Sequence, residues 1–121
     1  MQALYNHGGE LIAYHHQNML LHPYDLEVLG LVLGNCVFDR QARILGKLVH
    51  QKIYNLSGEV LARQSDSPGP LPEKFSEDHC VQQAWQILTM IKDHNCPWVT
   101  TRDTWSRDSL AGYLYTQAMI Y

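Results

Sequence analysis

Long apolar runs are missing from this chain, and so is an excess of positive charge. No stretch of the 121 residues approaches the length of a membrane span. The start, MQALYNHGGE, lacks the basic segment, apolar run and cleavage site of an export signal. Nine Lys and Arg against twelve Asp and Glu give a formal charge of -3, too little positive charge to neutralise a long track of phosphates. We therefore expect a soluble, cytoplasmic protein whose partner is neither a membrane nor a nucleic acid.

Cysteine is scarce, and catalytic signatures are absent from the sequence. Cys36, Cys80 and Cys96 are an odd number and have neither the CxxC spacing of zinc sites nor the pattern of a disulfide-stapled small domain. We interpret them as reduced thiols, mostly buried. The sequence has no GxSxG, no phosphate-binding glycine loop and no dinucleotide fingerprint. No catalytic residue and no cofactor are therefore predicted.

An internal repeat is the strongest signal in the chain. Four stretches resemble one another: LYNHGGELIA from residue 4, LHPYDLEVLG from 21, VFDRQARILG from 37 and IYNLSGEVLA from 53. Each opens with an aliphatic residue and closes with two aliphatics and a small residue. Three of the four continue, after the first aliphatic, with an aromatic and then Asn or Asp. The simplest interpretation is one structural unit used four times.

Each copy contains a predicted turn between two short antiparallel strands. Asn6 and Asn55 can bond the backbone two residues on, and Gly follows each three residues later, as in a type I turn closed by a left-handed residue. Asp39 opens the third turn, while the second copy has PYDL and should be distorted. Tighter turns are predicted between copies, at Gln17-Asn18, Gly34-Asn35 and His50-Gln51. The whole is an antiparallel meander of about eight strands.

Two columns of the repeat suggest how the units meet. A small residue closes each copy, at Ala13, Gly30, Gly46 and Ala62. Because a missing side chain lets backbones approach, we expect the units to meet there in a pseudo-four-fold arrangement. The two aliphatics before each small residue point to opposite faces, so both faces need cover from outside the repeats. The second column is interpreted as a solvated rim with an ion pair rather than a cation-binding mouth, and its members are Glu10, Glu27, Arg43 and Glu59.

The pattern changes after the repeats. Residues 63–74, RQSDSPGPLPEK, are typical of a linker. From Ser76, a candidate N-cap, apolar residues follow at helical spacing, and Pro97 marks a stop. The sequence therefore predicts an amphipathic helix over about 76–94 that covers one face of the sheet. A second, shorter helix is predicted from Ser106, capped by Ser106 or Ser109.

These repeats resemble the four-fold beta flower family, in which four tandem hairpin units precede a helix. The resemblance covers residues 2 to about 64 well and the helical part loosely. The second copy departs from it, with Pro23 at the Asn or Asp position and Leu26 at the small turn position. VFDRQARILGKL is also similar to a PRC-barrel strand pair, but the fourfold recurrence favours the flower. The family resemblance implies no established activity and no catalytic residues.

The predicted fold is α+β in a single domain, 1–121. It comprises the four-repeat meander at 2–64, a linker at 65–75 and a helical part at 76–121.

Histidine and cysteine offer only weak candidate chemistry. The chain has seven histidines, and none has a recognised ligand spacing. Adjacent strand residues point to opposite faces, so the nucleus of any metal site would be His15 or His16 together with His22. Asp78-His79-Cys80 offers an acid, a base and a nucleophile, but consecutive helical residues diverge by about 100° and do not face one another.

Aromatic residues gather in the tail, and we favour their packing against the sheet over the alternative, an exposed interaction surface. The candidate members of that surface are Trp98, Trp105, Tyr113 and Tyr115. Two functional hypotheses follow. We favour a non-enzymatic interaction or scaffold module that binds a protein partner or associates with itself, for instance as a homodimer. The alternative is a small-ligand or metal-binding protein, or an enzyme, with its site at the pseudo-axis or in the groove between sheet and helix.

Overall fold

The computed structural model describes residues 1–66, 69–91, 96–108 and 110–118, with side chains described up to residue 114. Eight strands come first: β1 (Gln2–Tyr5), β2 (Leu11–His16), β3 (Met19–Leu21), β4 (Val28–Leu33), β5 (Cys36–Asp39), β6 (Ile44–Val49), β7 (Lys52–Asn55) and β8 (Val60–Gln64). Two helices follow, α1 (Glu77–Leu88) and α2 (Leu110–Ala118). Neither described helix is long and apolar enough to cross a membrane.

The eight strands form a closed antiparallel barrel in which each strand pairs with its neighbours in sequence. β1 and β8 close the barrel through the pairs Leu4↔Gln64 and Tyr5↔Arg63. The predicted antiparallel meander is therefore confirmed and extended, because closure pairs the two strands that an open meander would leave at its edges.

Four turns of one design lie within the copies. In each, a backbone N–H donates to the carbonyl oxygen of the charged residue that ends the turn, and the pairs are Asn6 to Glu10, His22 to Glu27, Asp39 to Arg43 and Asn55 to Glu59. A residue with positive φ precedes that charged residue, and the four are Gly9, Leu26, Ala42 and Gly58. The predicted closure by a left-handed residue is confirmed, including at Ala42, where glycine was missing.

The second copy is offset by one residue from the predicted alignment. The equivalent strand pairs are Leu4↔Ala13, Leu20↔Gly30, Val37↔Gly46 and Ile53↔Ala62. The alignment from Leu21 was therefore wrong, and His22 rather than Pro23 occupies the Asn or Asp position. Leu26 N–H bonds the His22 carbonyl four residues back, so this turn holds one residue more than the others. The prediction that this copy is distorted is confirmed.

The turns between copies lie where the sequence places them. Gln17, Gly34, His50 and Gln51 have positive φ. The strand pairs that flank these turns are His16↔Met19, Leu33↔Cys36 and Val49↔Lys52. Left-handed residues in two-residue loops match the twist of the flanking strands.

A register shift follows each equivalent pair and decides which side chains fill the barrel. It leaves one aliphatic residue of each copy outside the regular pairing, and all four lie in the interior cluster: Ile12, Leu29, Leu45 and Leu61. The residues just before them, Val28, Ile44 and Val60, pack in clusters on the outer face. The prediction that the two aliphatics face opposite sides is confirmed for these copies.

The small-residue column does bring backbones together, between adjacent strands. A Cβ added to Gly46 would overlap the carbonyl oxygen of Tyr54, and one on Gly30 would overlap that of Phe38. In both cases the neighbour is the strand that begins the next copy. The predicted close approach of backbones is confirmed, and each glycine lies against the backbone of the adjacent strand.

α1 is shorter than predicted. Ser76 is its N-cap and accepts the N–H of His79, as predicted, but the helix ends at Leu88 instead of extending to about residue 94. The hydroxyl of Thr89 donates to the Gln86 carbonyl, and the next two N–H groups bond carbonyls only three residues back. The last turn therefore tightens and ends the helix. Residues 92–95 lie outside the described part of the chain.

Segments beyond the repeats cover the barrel, as predicted. Cys80 and Ile87 of α1 pack on the outer face around Phe38. Leu110 and Leu114 of α2 are fully buried in the interior cluster. The second helix begins at Leu110, whereas Ser106 accepts the N–H of Asp108 in the preceding turn and Ser109 lies outside the described residues.

Cys36 of β5 and Cys96 form a disulfide. The prediction that all three cysteines are reduced was wrong for this pair, because the sequence does not show that the fold brings together residues 60 positions apart. Cys80 is free and buried, as predicted.

Candidate functional site

The three histidines considered for a metal site have separate partners. His15 Nδ1 lies 2.6 Å from Gln64 Oε1. His16 packs edge-on against Phe75, with ring centroids 5.1 Å apart. His22 Nδ1 accepts the N–H of Tyr24 at 3.1 Å. Among the residues that the structure describes, no three His, Cys, Asp or Glu side chains are grouped as a metal ion would require.

His22 performs the task that Asn or Asp performs in other copies. Asn55 Oδ1, for example, accepts the backbone N–H of Ser57 at 3.0 Å and of Glu59 at 2.9 Å. His22 offers a ring nitrogen to the turn in place of an oxygen. Its position is therefore explained by turn structure.

His15 belongs to a polar cluster at the closure of the barrel. Gln64 is buried and donates its Nε2–H to Gln2 Oε1 at 2.9 Å, while Gln2 Nε2 donates to the Ser65 carbonyl at 3.4 Å. The cluster therefore links β2, β8 and β1. Sequence reasoning missed Gln2 and Gln64, because a lone glutamine on a strand carries no motif. Each polar atom named here has a hydrogen-bond partner, which suits a structural role.

The charged column forms a rim of separately held side chains. Glu27 contacts α1 through His79, at 3.3 Å, and through Gln83. Arg43 donates its Nε–H to the fully buried Asp39 at 3.0 Å. No convergence of three carboxylates occurs within the described part of the chain. The interpretation as a rim with an ion pair agrees with this placement.

His79 and Cys80, two members of the Asp78-His79-Cys80 run, have different partners. The His79 ring faces Glu27, and the Cys80 thiol donates to the Leu26 carbonyl at 3.4 Å. Burial, together with the nearby Glu27 carboxylate, raises the pKa of the Cys80 thiol. The thiol therefore stays protonated near neutral pH, which suits packing better than nucleophilic attack.

The aromatic residues of the tail lie in different environments. Trp98 is 87% exposed. Trp105 is half-buried and stacks on His7, with ring centroids 4.7 Å apart. Tyr113 is half-buried against the interior cluster, and its hydroxyl donates to Asp108 at 3.5 Å. The side chain of Tyr115 lies outside the described residues. Of the predicted surface, Trp98 is the member that projects into solvent.

Trp85 of α1 is a second exposed tryptophan that sequence reasoning missed. It is 58% exposed and borders a groove of about 160 Å³ between α1 and the barrel. Met19, Leu31 and Leu33 line the opposite wall. A signal was present, because Trp85 lies off the buried stripe that runs through Cys80 and Ile87.

Trp85 and Trp98 lie on either side of one row of the barrel. The strand pairs place Leu33, Cys36 and Lys47 side by side on β4, β5 and β6. Trp85 borders the groove at Leu33, while Lys47 Nζ lies 5.7 Å from the ring centroid of Trp98, within cation–π range. These four side chains, Trp85, Leu33, Lys47 and Trp98, are called the two-tryptophan surface below.

A protein-family model described as 4-fold beta flower protein matches residues 2–114. The chain belongs to this family. The match includes all eight strands, α1 and the start of α2, so the resemblance seen in the repeats is confirmed. No curated protein and no solved structure matches the chain.

The two-tryptophan surface combines the repeated and the non-repeated parts of this beta flower. Leu33 and Lys47 belong to the second and third copies, whereas Trp85 and Trp98 come from the chain after the barrel. The surface therefore occurs once on the molecule, even though the hairpin unit occurs four times.

Proposed function

We propose that this beta flower is a non-enzymatic interaction module that associates with a second copy of itself through the two-tryptophan surface. The observation that carries the proposal is the exposure of two large aromatic side chains, 58% for Trp85 and 87% for Trp98, beside one row of barrel residues. Tryptophan is enriched at interface hot spots, and exposed apolar patches commonly mark interaction sites.

The surface is well suited to bind its own copy. It holds a projecting apolar side chain, Trp98, and an apolar groove beside Trp85. Under a two-fold axis, Trp98 of one copy enters the groove of the other, and the reverse contact forms at the same time. Because the projecting Trp98 and the groove lie on one face, each copy can fill the groove of the other. This favours a homodimer over a contact with an unrelated protein.

The barrel gives this surface a rigid support. We infer that the four hairpin units are arranged about a pseudo-four-fold axis. Strand pairing sets the positions of Leu33 and Lys47. The barrel part of the surface, Leu33 and Lys47, is therefore preformed, which lowers the entropic cost of association.

Sedimentation velocity over a concentration series tests the proposal. Trp85→Ser and Trp98→Ser should each weaken dimerisation at least about tenfold, since truncating a hot-spot residue typically costs about 2 kcal/mol or more. Tyr24→Ser is the matched control, because Tyr24 is 83% exposed on the turn between β3 and β4. A wild-type monomer at all concentrations, or equal dimerisation of all variants, contradicts the proposal.

A small-ligand site in the groove between α1 and the barrel is the second candidate function. The groove is lined mostly by apolar residues, which favours a short apolar ligand. Thermal melts of chelator-treated protein with divalent metals and common metabolites test this, because a ligand that binds only the folded state raises the midpoint. A saturable shift lost in Trp85→Ser supports the groove, whereas a metal shift lost on changing His15 and His16 to Ala supports the metal alternative.

A further inference from the structure

We propose that the Cys36–Cys96 disulfide is a reversible redox clamp that holds residues 96–101 against the barrel. Only one consequence of the clamp, its effect on dimerisation, rests on the proposed function, because Trp98 lies in the clamped segment. The clamp itself is a property of the single chain and can be tested without a partner.

Residues 96–101 have few attachments to the barrel besides the disulfide. No described backbone hydrogen bond involves them. The residues that follow are held differently: Arg102 N–H donates to the Gly58 carbonyl at 2.8 Å, and Val60 N–H donates to the Thr104 carbonyl at 2.9 Å. The strand-like contact with β8 therefore begins only after the clamped segment.

The remaining described contacts of the segment are side-chain packing, one cation–π contact and, at its far end, the Thr100 carbonyl, which lies against the Gly58 backbone so closely that a Cβ on Gly58 would overlap it. Val99 is buried against Tyr54 and Val60 on the outer face. Trp98 lies near Lys47 while remaining largely exposed. An exposed cation–π contact is weak, so the covalent bond is the main attachment at the Cys96 end.

The two sulfurs differ in solvent exposure, and this decides which of them a reductant attacks first. Cys36 is 1% exposed, whereas Cys96 is half-buried. A dithiol reductant reaches the Cys96 sulfur first, and its thiolate attacks there. The S–S bond breaks, and its electron pair leaves on the Cys36 sulfur, which takes a proton. The second thiol of the reductant then displaces Cys96 as a thiol, and the reductant becomes a disulfide.

The barrel keeps its own supports after this step. Its strand pairing is complete without residues 96–101, including the closure between β1 and β8. The third cysteine does not compete in the exchange, because Cys80 is buried and donates to a backbone carbonyl. Reduction therefore releases the segment locally, uncovers Tyr54 and Val60, and removes Trp98 from the two-tryptophan surface.

Limited proteolysis of the full chain with subtilisin, with and without dithiothreitol, tests the clamp at a concentration where the protein is monomeric. Alkylation after treatment should count two additional thiols. Cleavage within 96–101 should become severalfold faster, because a protease cuts a segment that can leave the surface, while the strands from β2 to β4 should stay uncut. Cys96→Ser should show the released pattern without reductant, and Cys80→Ser should respond as wild type does.

Three results overturn the clamp. One is a disulfide that dithiothreitol reduces only in denaturant. Another is reduction without faster cleavage within 96–101. The third is cleavage throughout the barrel, which would make the bond a staple of the whole fold. If the segment is released on reduction but the dimer is unaffected, only the involvement of Trp98 in the interface is contradicted. If the segment is released but the protein never dimerises, only the proposed function is contradicted.

Discussion

His15 Nδ1 and Gln64 Oε1 lie 2.6 Å apart, where the first and last copies of the repeat meet. Each lies two residues after the small residue of its copy, and the equivalent positions in the middle copies hold Val32 and Leu48. Both of those residues belong to or pack against the interior cluster. An amide oxygen only accepts hydrogen bonds, so His15 donates its Nδ1–H. These four equivalent positions are thus polar where β1 and β8 close the barrel and apolar in the two middle copies.

His15→Ala should destabilise the protein by about 1–3 kcal/mol, because the buried Gln64 oxygen loses its donor. Urea unfolding measures the change. The neighbouring His16→Ala is the control and should cost less, since His16 contacts Phe75 on the other face. His15→Val combined with Gln64→Leu copies the middle repeats and should recover part of the loss. A neutral His15→Ala would contradict a structural role for the pair.

Asp39→Ala should cost about 1–3 kcal/mol, because two backbone N–H groups lose a buried acceptor. Asp39→Asn should cost less than Asp39→Ala, since Asn55 accepts equivalent N–H groups in the fourth copy and the Arg43 side chain, which is 62% exposed, stays solvated when its partner loses the charge. Chemical denaturation of both variants checks the order. Equal losses would show that the charge, and not the acceptor, determines stability at this turn.

Gly46→Ala should destabilise the barrel by about 1–3 kcal/mol, and Gly46→Val by more, because any Cβ there overlaps the Tyr54 carbonyl. Gly8→Ala is the control: its nearest neighbour would lie 3.5 Å from the added Cβ, an ordinary contact. Thermal melts of the three variants make the comparison. If Gly46→Ala has the same melting temperature as wild type, the strands do not approach as closely as described.

Stability should fall as pH drops below about 6.5, in part through His16. Burial, helped by the N-terminal amino group, lowers the pKa of His16, while Glu77 opposes the shift. The unfolded chain then takes up a proton at a higher pH than the folded chain does, so protonation favours unfolding between 6.5 and the lowered pKa. Urea unfolding near neutral and acidic pH should show a shallower decline for His16→Gln than for wild type.

The strands could be predicted from sequence because their signals are local. Asn6 and Asn55 bond backbone groups within their own turns, so neighbouring residues suffice to reveal the hairpins. The second copy was misaligned for the same reason: His22 substitutes for Asn through a ring nitrogen, which the aligned pattern does not show. The Cys36–Cys96 pair joins residues 60 positions apart, and no local pattern contains that contact.

The candidate surface could be predicted only in part. Trp98 was expected in it and is exposed, but Trp105 stacks on His7 and Tyr113 packs against the interior. Aromatic content alone does not separate these environments, because the same side chains serve cores and interfaces. Trp85 was detectable from the sequence, because it lies off the buried stripe of α1 that runs through Cys80 and Ile87.

The most direct test of the account is oxidative footprinting by mass spectrometry, comparing dilute with concentrated wild-type protein. If two copies meet through the two-tryptophan surface, oxidation of Trp85 and Trp98 slows severalfold on concentration, while the exposed Tyr24 reacts at an unchanged rate. Rates that do not depend on concentration, or equal protection of Tyr24, would contradict the account.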